Sequence, residues 1–161
     1  MISPMKDTDI EFEHLWLEIQ FERWPMVERF LLSYFCFSRG YVTKTGKPDW
    51  QQARDCSCRS NNVFTVKHAE LEPLVPLETI IGELKRYQRD GELTPQSAKR
   101  ILSCLLDYAV ITKQEKQQLK QLGLSQAMPA SWYQSERKDP YERFALAGIH
   151  LTKISPPRLT T

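Results

Sequence analysis

The stretch 77–124 constrains the fold most, because its apolar residues recur at helical spacing and its breaks carry helix-capping residues. Thr94 stands before a proline, which suits the first turn of a helix. Thr112 and Glu115 have the spacing of a capping box, in which each side chain bonds the backbone N–H of the other residue. The pattern predicts a three-helix unit, with helices at 77–90, 95–109 and 113–122.

Two more helices are predicted at the N-terminus. Thr8 and Glu11 form another capping box, after which aromatic and aliphatic residues recur at helical spacing. Pro25 interrupts this pattern and suits the start of a second helix. Gly40 is a natural end for that helix, since glycine readily adopts the left-handed conformation. The sequence therefore predicts a helix pair at 9–23 and 25–39.

Residues 40–68 differ in character from these helices. The β-prone runs 41–43 and 63–66 flank a segment rich in turn-forming residues, which predicts a small irregular β excursion such as a long-looped hairpin. Residues 69–76 contain two prolines and are predicted to be a linker.

The tail 125–161 is predicted to contain little regular structure. Asp139 and the proline after it indicate a short helix that ends near Ala147, before Gly148. Beyond it, a short strand is predicted from Ile149, Leu151 and Ile154.

The predicted fold class is mainly α: an N-terminal helix pair, a small irregular β excursion, a three-helix unit and a short C-terminal helix. The length of 161 residues favours a single domain over 1–161, because domains typically have about 100–150 residues. A subdivision would place the helix pair with the β excursion in 1–68, the three-helix unit in 77–124, and an extended tail with its short helix in 125–161.

Several classes of function lack their usual sequence marks. There is no run of about 18 apolar residues and no signal-like N-terminus, so we expect a cytoplasmic protein with no membrane partner. The four cysteines are expected to be thiols, with Cys104 buried among leucines. Cys56 and Cys58 have no second cysteine pair at zinc-site spacing, so we expect no metal. Nucleophile, metalloprotease and phosphate-loop motifs are missing, which predicts a non-enzymatic protein without catalytic residues or cofactors.

Charge is distributed unevenly along the chain. Residues 1–35 contain three basic and seven acidic groups, a net of −4, whereas residues 36–68 contain six basic and two acidic groups, a net of +4. The basic segment also contains Tyr41, Trp50 and Phe64. Basic groups neutralise phosphates and aromatic rings stack on bases, so the segment 39–67 is typical of a nucleic-acid-binding surface.

The last helix of the predicted three-helix unit adds a second basic face. Its lysines recur at spacings of three and four residues, and its glutamine amides can read base edges. These features favour an accessory or regulatory protein that contacts nucleic acid, DNA or RNA. The candidate nucleic-acid-binding residues are Arg39, Lys44, Lys47, Trp50, Arg54, Arg59, Lys113, Lys116 and Lys120.

The acidic N-terminal helices support a different hypothesis. They carry aromatic residues on several faces, and aromatic residues are favoured anchors of protein interfaces. The alternative is therefore an adaptor or inhibitor that binds a basic protein partner, including one in a nucleic-acid-binding complex. Its candidate binding residues are Glu11, Glu18, Glu22 and Trp24.

Overall fold

The computed structural model describes residues 5–152. Helices make up 56% of the structure and the described strands form one small four-stranded mixed sheet, so the predicted mainly α class with a small β part is confirmed. The chain forms two compact units, each built from two separate stretches of sequence. We call Met1–Trp50 with Leu77–Leu106 the helical unit, and Gln51–Pro76 with Asp107–Thr161 the sheet unit. A single domain over 1–161 stays a prediction.

The regular elements of the described chain are eight α-helices and four strands. The helices are α1 (Asp7–Gln20), α2 (Trp24–Arg39), α3 (Trp50–Cys56), α4 (Leu77–Arg89), α5 (Pro95–Leu105), α6 (Lys113–Gln121), α7 (Ala130–Gln134) and α8 (Glu142–Leu146). The strands are β1 (Cys58–Ser60), β2 (Ala69–Pro73), β3 (Tyr108–Thr112) and β4 (Leu151–Thr152).

The helical unit contains the predicted N-terminal helix pair. The Phe12 ring of α1 stacks on Trp16, with 6.3 Å between ring centroids, and meets Tyr34 of α2 at 6.2 Å. Gly40 ends α2 with φ 76°, as its position in the sequence predicts. In α5 the predicted Thr94 cap is present, because Thr94 Oγ1 accepts from the backbone N–H of Ser97 at 3.1 Å. These contacts bring aromatic and aliphatic side chains of α1, α2, α4 and α5 into one core.

The predicted start of α1 is wrong. The helix begins at Asp7, and Thr8 lies inside its first turn instead of capping it. The Thr8 hydroxyl donates to the carbonyl of Phe37 at 3.1 Å, and Phe37 lies in the last turn of α2. That carbonyl also accepts from the backbone N–H of Gly40 at 3.3 Å, so the Thr8 hydroxyl bonds the end of the neighbouring helix instead of capping α1. Helix α1 also ends earlier than predicted, at Gln20, before Glu22 at φ 55°.

The sheet unit is organised around β3, which lies between two partners in the order β2-β3-β1-β4. Strand β2 pairs antiparallel with β3, β1 pairs parallel with β3, and β4 pairs antiparallel with β1. Tyr108–Ile111 are fully buried, and Ala109 and Ile111 pack in a core with Phe144 of α8. Strands buried on both faces have continuous apolar sequences rather than alternating ones.

Three predicted elements are therefore corrected. The predicted helix 95–109 ends at Leu105, because the β-branched, continuously apolar run after it forms β3. The predicted linker 69–76 contains β2, whose last residue, Pro73, is tolerated because β2 is an edge strand. The predicted three-helix unit 77–124 is divided, with α4 and α5 in the helical unit and α6 in the sheet unit.

The predicted hairpin in 40–68 is also wrong. Residues 50–56 form α3, and β1 pairs with β3 and β4, which are distant in sequence. The run 63–66 is not a strand; it leads into a 3-10 turn at Val66–His68. A strand that finds its partners across more than forty residues has no local turn signal that could predict the pairing.

The end of the described chain follows the prediction in part. Helix α8 ends at Leu146, Gly148 has φ 74°, and Leu151 lies in β4, whereas Ile149 precedes that strand. Ile154 lies outside the described residues. Helix α7 was not predicted, and its Trp132 is fully buried, donating from Nε1 to the Asp139 carbonyl at 3.0 Å. Cys104 was expected to be buried but is exposed, because it lies on the outer face of α5.

Candidate nucleic-acid interface

An open groove of about 350 Å³ in the sheet unit has an exposed phenylalanine on its wall. Phe64 is 92% exposed, although it is a large apolar side chain in an ordered loop. We call this depression the Phe64 groove. The residues that line it are Asn62, Val63, Phe64, Thr65, His68, Ala69, Thr112, Lys113 and Gln114.

One buried carboxylate joins the walls of the Phe64 groove. Glu115 Oε2 accepts from the Ser60 hydroxyl at 2.6 Å and from Asn62 Nδ2 at 3.4 Å. Its other oxygen accepts from the backbone N–H of Thr112 at 2.9 Å, and the Thr112 hydroxyl accepts in return from the N–H of Glu115. The predicted capping box of α6 is thus present. It also fixes the loop that carries Phe64 against the start of α6.

The far end of this loop is held by Arg54. Its guanidinium donates to the carbonyls of Val66 and Ala69, both at 2.6 Å. Inside the loop, Val63 is buried and packs with Ala69 and Val110. The loop is therefore anchored on both sides of Phe64, which lowers the entropy that Phe64 would lose on binding a ligand.

The exposed charges at the Phe64 groove are basic, whereas the Glu115 carboxylate that joins its walls is buried. Lys113 lies in its lining and is exposed, Lys67 is exposed in the same loop, and none of the described residues that line the groove is acidic. Lys116, one turn further along α6, donates to Glu70 at 2.6 Å. The hydrogen bond to Glu70 raises the pKa of Lys116, so this lysine remains charged but is partly neutralised by its neighbour.

The predicted nucleic-acid-binding residues fall into both units. The sheet unit holds Arg54, Arg59, Lys113, Lys116 and Lys120, and the helical unit holds Arg39, Lys44, Lys47 and Trp50.

Within the sheet unit, these residues have different surroundings. Lys113 and Lys120 are exposed on α6. Arg54 is committed to backbone carbonyls, and Arg59 is half-buried in β1, with its Nη2 3.5 Å from the Asp55 carbonyl. The exposed lysines are therefore better placed for phosphate contacts than the two arginines.

In the helical unit, the predicted residues occupy the end of α2 and the turn after it. The guanidinium of Arg39 lies 5.6 Å from the centroid of the Phe35 ring. Lys44 and Lys47 are exposed in a turn closed by the bridge between Val42 and Pro48, and Trp50 is exposed at the start of α3.

The residues of the alternative hypothesis lie together in the helical unit, and two of them have internal partners. Glu11 accepts from the Ser33 hydroxyl at 3.2 Å, and Glu18 is buried with the Arg23 Nε 3.1 Å from its carboxylate. Glu22 is exposed just after α1. The ring of Trp24 is half-buried, with Lys85 Nζ 5.4 Å from its centroid.

Residues 5–152 contain no group of three or more histidine, cysteine or acidic side chains that could hold a metal ion. Cys56 is exposed and Cys58 is half-buried. Within the same range, every helix is too short or too polar to cross a bilayer.

Sequence reasoning identified Phe64 and Lys113 but did not bring them together. The sequence indicates a turn at Asn62 and a β-prone run at Thr65, and their place beside α6 depends on the contacts of Glu115. The only local sign was an Asn-Asn turn just before an apolar residue that interrupts a polar loop.

Comparison with known proteins adds no relative: no protein-family model, curated protein or solved structure matches this chain. The geometry of the chain itself is therefore the basis for a proposed function.

Proposed function

We propose that this protein is a non-enzymatic accessory or regulatory protein that binds single-stranded nucleic acid through the Phe64 groove. The observation that carries the proposal is Phe64 itself, 92% exposed on a loop anchored at both ends and bordered by a lysine. An exposed aromatic ring with cationic neighbours is the arrangement on which unpaired bases stack.

The exposed ring favours an unpaired base over a duplex. A base in a duplex already stacks on its neighbours, whereas an unpaired base has a free face that an aromatic side chain can cover. Stacking on one ring is worth about 1–3 kcal/mol per base and depends little on sequence. Asn62, Thr65 and Gln114 add side-chain donors and acceptors along the groove for base edges or sugar hydroxyls.

Lys113 and Lys120 supply the phosphate contacts in this proposal. Both are exposed on α6 and follow the face of the helix that starts at the groove. Lys116 contributes less, since Glu70 already neutralises part of its charge. Arg54 acts by holding the loop in place, because its guanidinium is committed to the carbonyls of Val66 and Ala69.

The test is fluorescence anisotropy with labelled single-stranded DNA and RNA of mixed sequence, measured over a series of salt concentrations. Phe64→Ser is expected to weaken binding by about 1–3 kcal/mol with little change in salt dependence. Phe64→Tyr keeps the ring and is expected to bind like the wild type. Phe21→Ser removes an equally apolar exposed ring from the helical unit and is the matched control.

A charge variant tests the phosphate contact separately. Lys113→Gln is expected to reduce the slope of log affinity against log salt by about one unit, whereas Lys6→Gln, which removes the same charge from the other unit, leaves it unchanged. Lys44→Gln measures whether the basic turn of the helical unit takes part. If Phe64→Ser and Phe21→Ser bind alike, or if the wild type binds neither DNA nor RNA at low salt, the proposal is wrong.

A further inference from the structure

Helix α1 has a stripe of exposed apolar side chains that points away from its buried face. Ile10, Leu17 and Phe21 are 39%, 53% and 71% exposed, and with His14 they follow spacings of four, three and four residues. Positions with this spacing lie along one line on a helix. We call these four residues the α1 stripe.

The other side of α1 already supplies the core of the helical unit. Phe12, Leu15 and Ile19 are fully buried there, so the helix needs no second apolar face for its own packing. The His14 ring lies 6.0 Å from the ring of Phe30 in α2, which extends the apolar surface beside the stripe. A contiguous exposed apolar surface of this kind marks an interaction site more often than scattered single residues do.

The charges on α1 have one sign. Between Asp7 and Gln20 the helix has five acidic residues and neither lysine nor arginine. Glu11 and Glu18 have partners inside the unit, which leaves Asp7, Asp9 and Glu13 exposed on the helix. On α2, the adjacent exposed Glu28 and Arg29 balance each other, and at the two ends of α1 the exposed Lys6 and Glu22 do the same, so the net exposed charge comes from α1 and is acidic.

We infer that the α1 stripe docks a basic amphipathic helix of a partner protein. The α1 stripe would pack against the apolar face of such a helix, and Asp9 and Glu13 would lie beside its lysines or arginines. A second copy of this chain fits less well, since pairing α1 with α1 would bring two acidic rims together. The inference does not depend on nucleic-acid binding and concerns the other unit.

The probe is a synthetic amphipathic helical peptide with a leucine stripe flanked by lysines, together with a matched peptide in which glutamates replace the lysines. Binding to the full chain is measured by fluorescence anisotropy. The wild type is expected to bind the lysine peptide and not the glutamate peptide. Phe21→Ser and Leu17→Ser are each expected to weaken binding of the lysine peptide by about tenfold or more, as for central interface anchors.

Two further variants distinguish docking on the α1 stripe from nonspecific binding to exposed apolar side chains. Leu146→Ser removes a leucine that is 62% exposed in the sheet unit and is expected to bind the lysine peptide like the wild type. The double variant Asp9→Lys and Glu13→Lys is expected to reverse the preference between the two peptides. Circular dichroism of each variant checks that its helix content is unchanged.

The inference is overturned if the wild type binds neither peptide, if it binds both equally, or if Leu146→Ser weakens binding as much as Phe21→Ser. It is also overturned if sedimentation shows a dimer of the free wild type that Phe21→Ser dissociates, because the stripe would then bind a second copy.

Discussion

Each unit exposes one phenylalanine, and the exposed charges are basic on α6, beside Phe64, and acidic on α1, which Phe21 follows. Phe64 in the sheet unit lies beside Lys113, in a groove whose described lining has no acidic residue. Phe21 in the helical unit ends a stripe on a helix whose exposed charged residues are all acidic. We therefore propose different ligands for the same apolar side chain, because neighbouring charge favours the approach of either a polyanion or a basic partner.

The units also differ in how their interiors are held together. In the sheet unit, the fully buried Arg143 donates to the Leu124 carbonyl at 2.8 Å, to Glu72 at 3.3 Å, and to the carbonyls of Pro73 and Leu74. In the helical unit, the ion pair of Arg89 with Asp90, 3.7 Å apart, lies at the surface. One unit thus depends on a buried cation, and the other on packed apolar helices.

The largest expected effect comes from removing that buried cation. Arg143→Met leaves the Glu72 carboxylate and several carbonyls buried without a donor, which is expected to destabilise the sheet unit by about 3–5 kcal/mol. Arg89→Met removes the exposed pair with Asp90 and is expected to cost the helical unit about 1 kcal/mol or less. Urea unfolding followed by NMR amide signals measures each unit separately. Equal losses in the two variants would contradict the comparison.

The pH at which each unit loses stability is a second difference. Burial raises the pKa of Glu72 above its ordinary value of 4.5, and Arg143 offsets only part of this effect. The folded sheet unit then binds this proton more tightly than the unfolded chain does. The resulting stabilisation is fully present below pH 4.5 and is lost as the pH rises through the folded pKa. Glu72→Gln is expected to remove this dependence in the same NMR-detected titration.

The helical unit is expected to lose stability at alkaline pH instead. Burial, together with the nearby Asp49, raises the pKa of Cys36 from 9.0 to about 11. The stabilisation from the neutral thiol is present below pH 9.0 and is lost as the pH rises through about 11. Cys36→Ala is expected to abolish this loss. A helical unit whose stability in Cys36→Ala still falls over that range would show that another group is responsible.

Removing a helix cap is expected to have a smaller effect on stability, and the effect should be about equal in the two units. Thr94→Ala and Thr112→Ala each remove a hydroxyl that accepts a backbone N–H at the start of a helix, and each is expected to cost about 1 kcal/mol in thermal melts. Only Thr112→Ala is expected to weaken nucleic-acid binding, because Thr112 lines the Phe64 groove. An unchanged melt for Thr112→Ala would mean that α6 begins elsewhere.

The sequence predicts the helices well where their signals are local. Thr94, Thr112 and Gly40 mark true helix boundaries, because a cap is decided within one turn of the chain. Thr8 fails as a cap because its partner, the Phe37 carbonyl, lies 29 residues away. Strand β3 is missed, and the predicted helix 95–109 includes its first two residues, because a buried strand lacks the alternation that identifies strands.

The sequence identifies individual residues of the candidate site but not how they are brought together. The basic and aromatic residues of 39–67 and the lysines of α6 can be read from composition and spacing. Their assembly depends on parallel pairing of β1 with β3 and on Glu115, contacts that join residues about fifty positions apart. The role of Arg54 as a loop anchor likewise follows from two backbone carbonyls rather than from its charge.

The most direct test of the account compares substitutions of the two exposed phenylalanines in their binding of both ligands. Wild type, Phe64→Ser and Phe21→Ser are each titrated with labelled single-stranded DNA and with the lysine peptide. The account predicts that Phe64→Ser loses DNA binding and keeps peptide binding, while Phe21→Ser keeps DNA binding and loses peptide binding. If either substitution weakens the binding of both ligands equally, or of neither ligand, the two units do not bind separate partners according to their charge. The account is then contradicted.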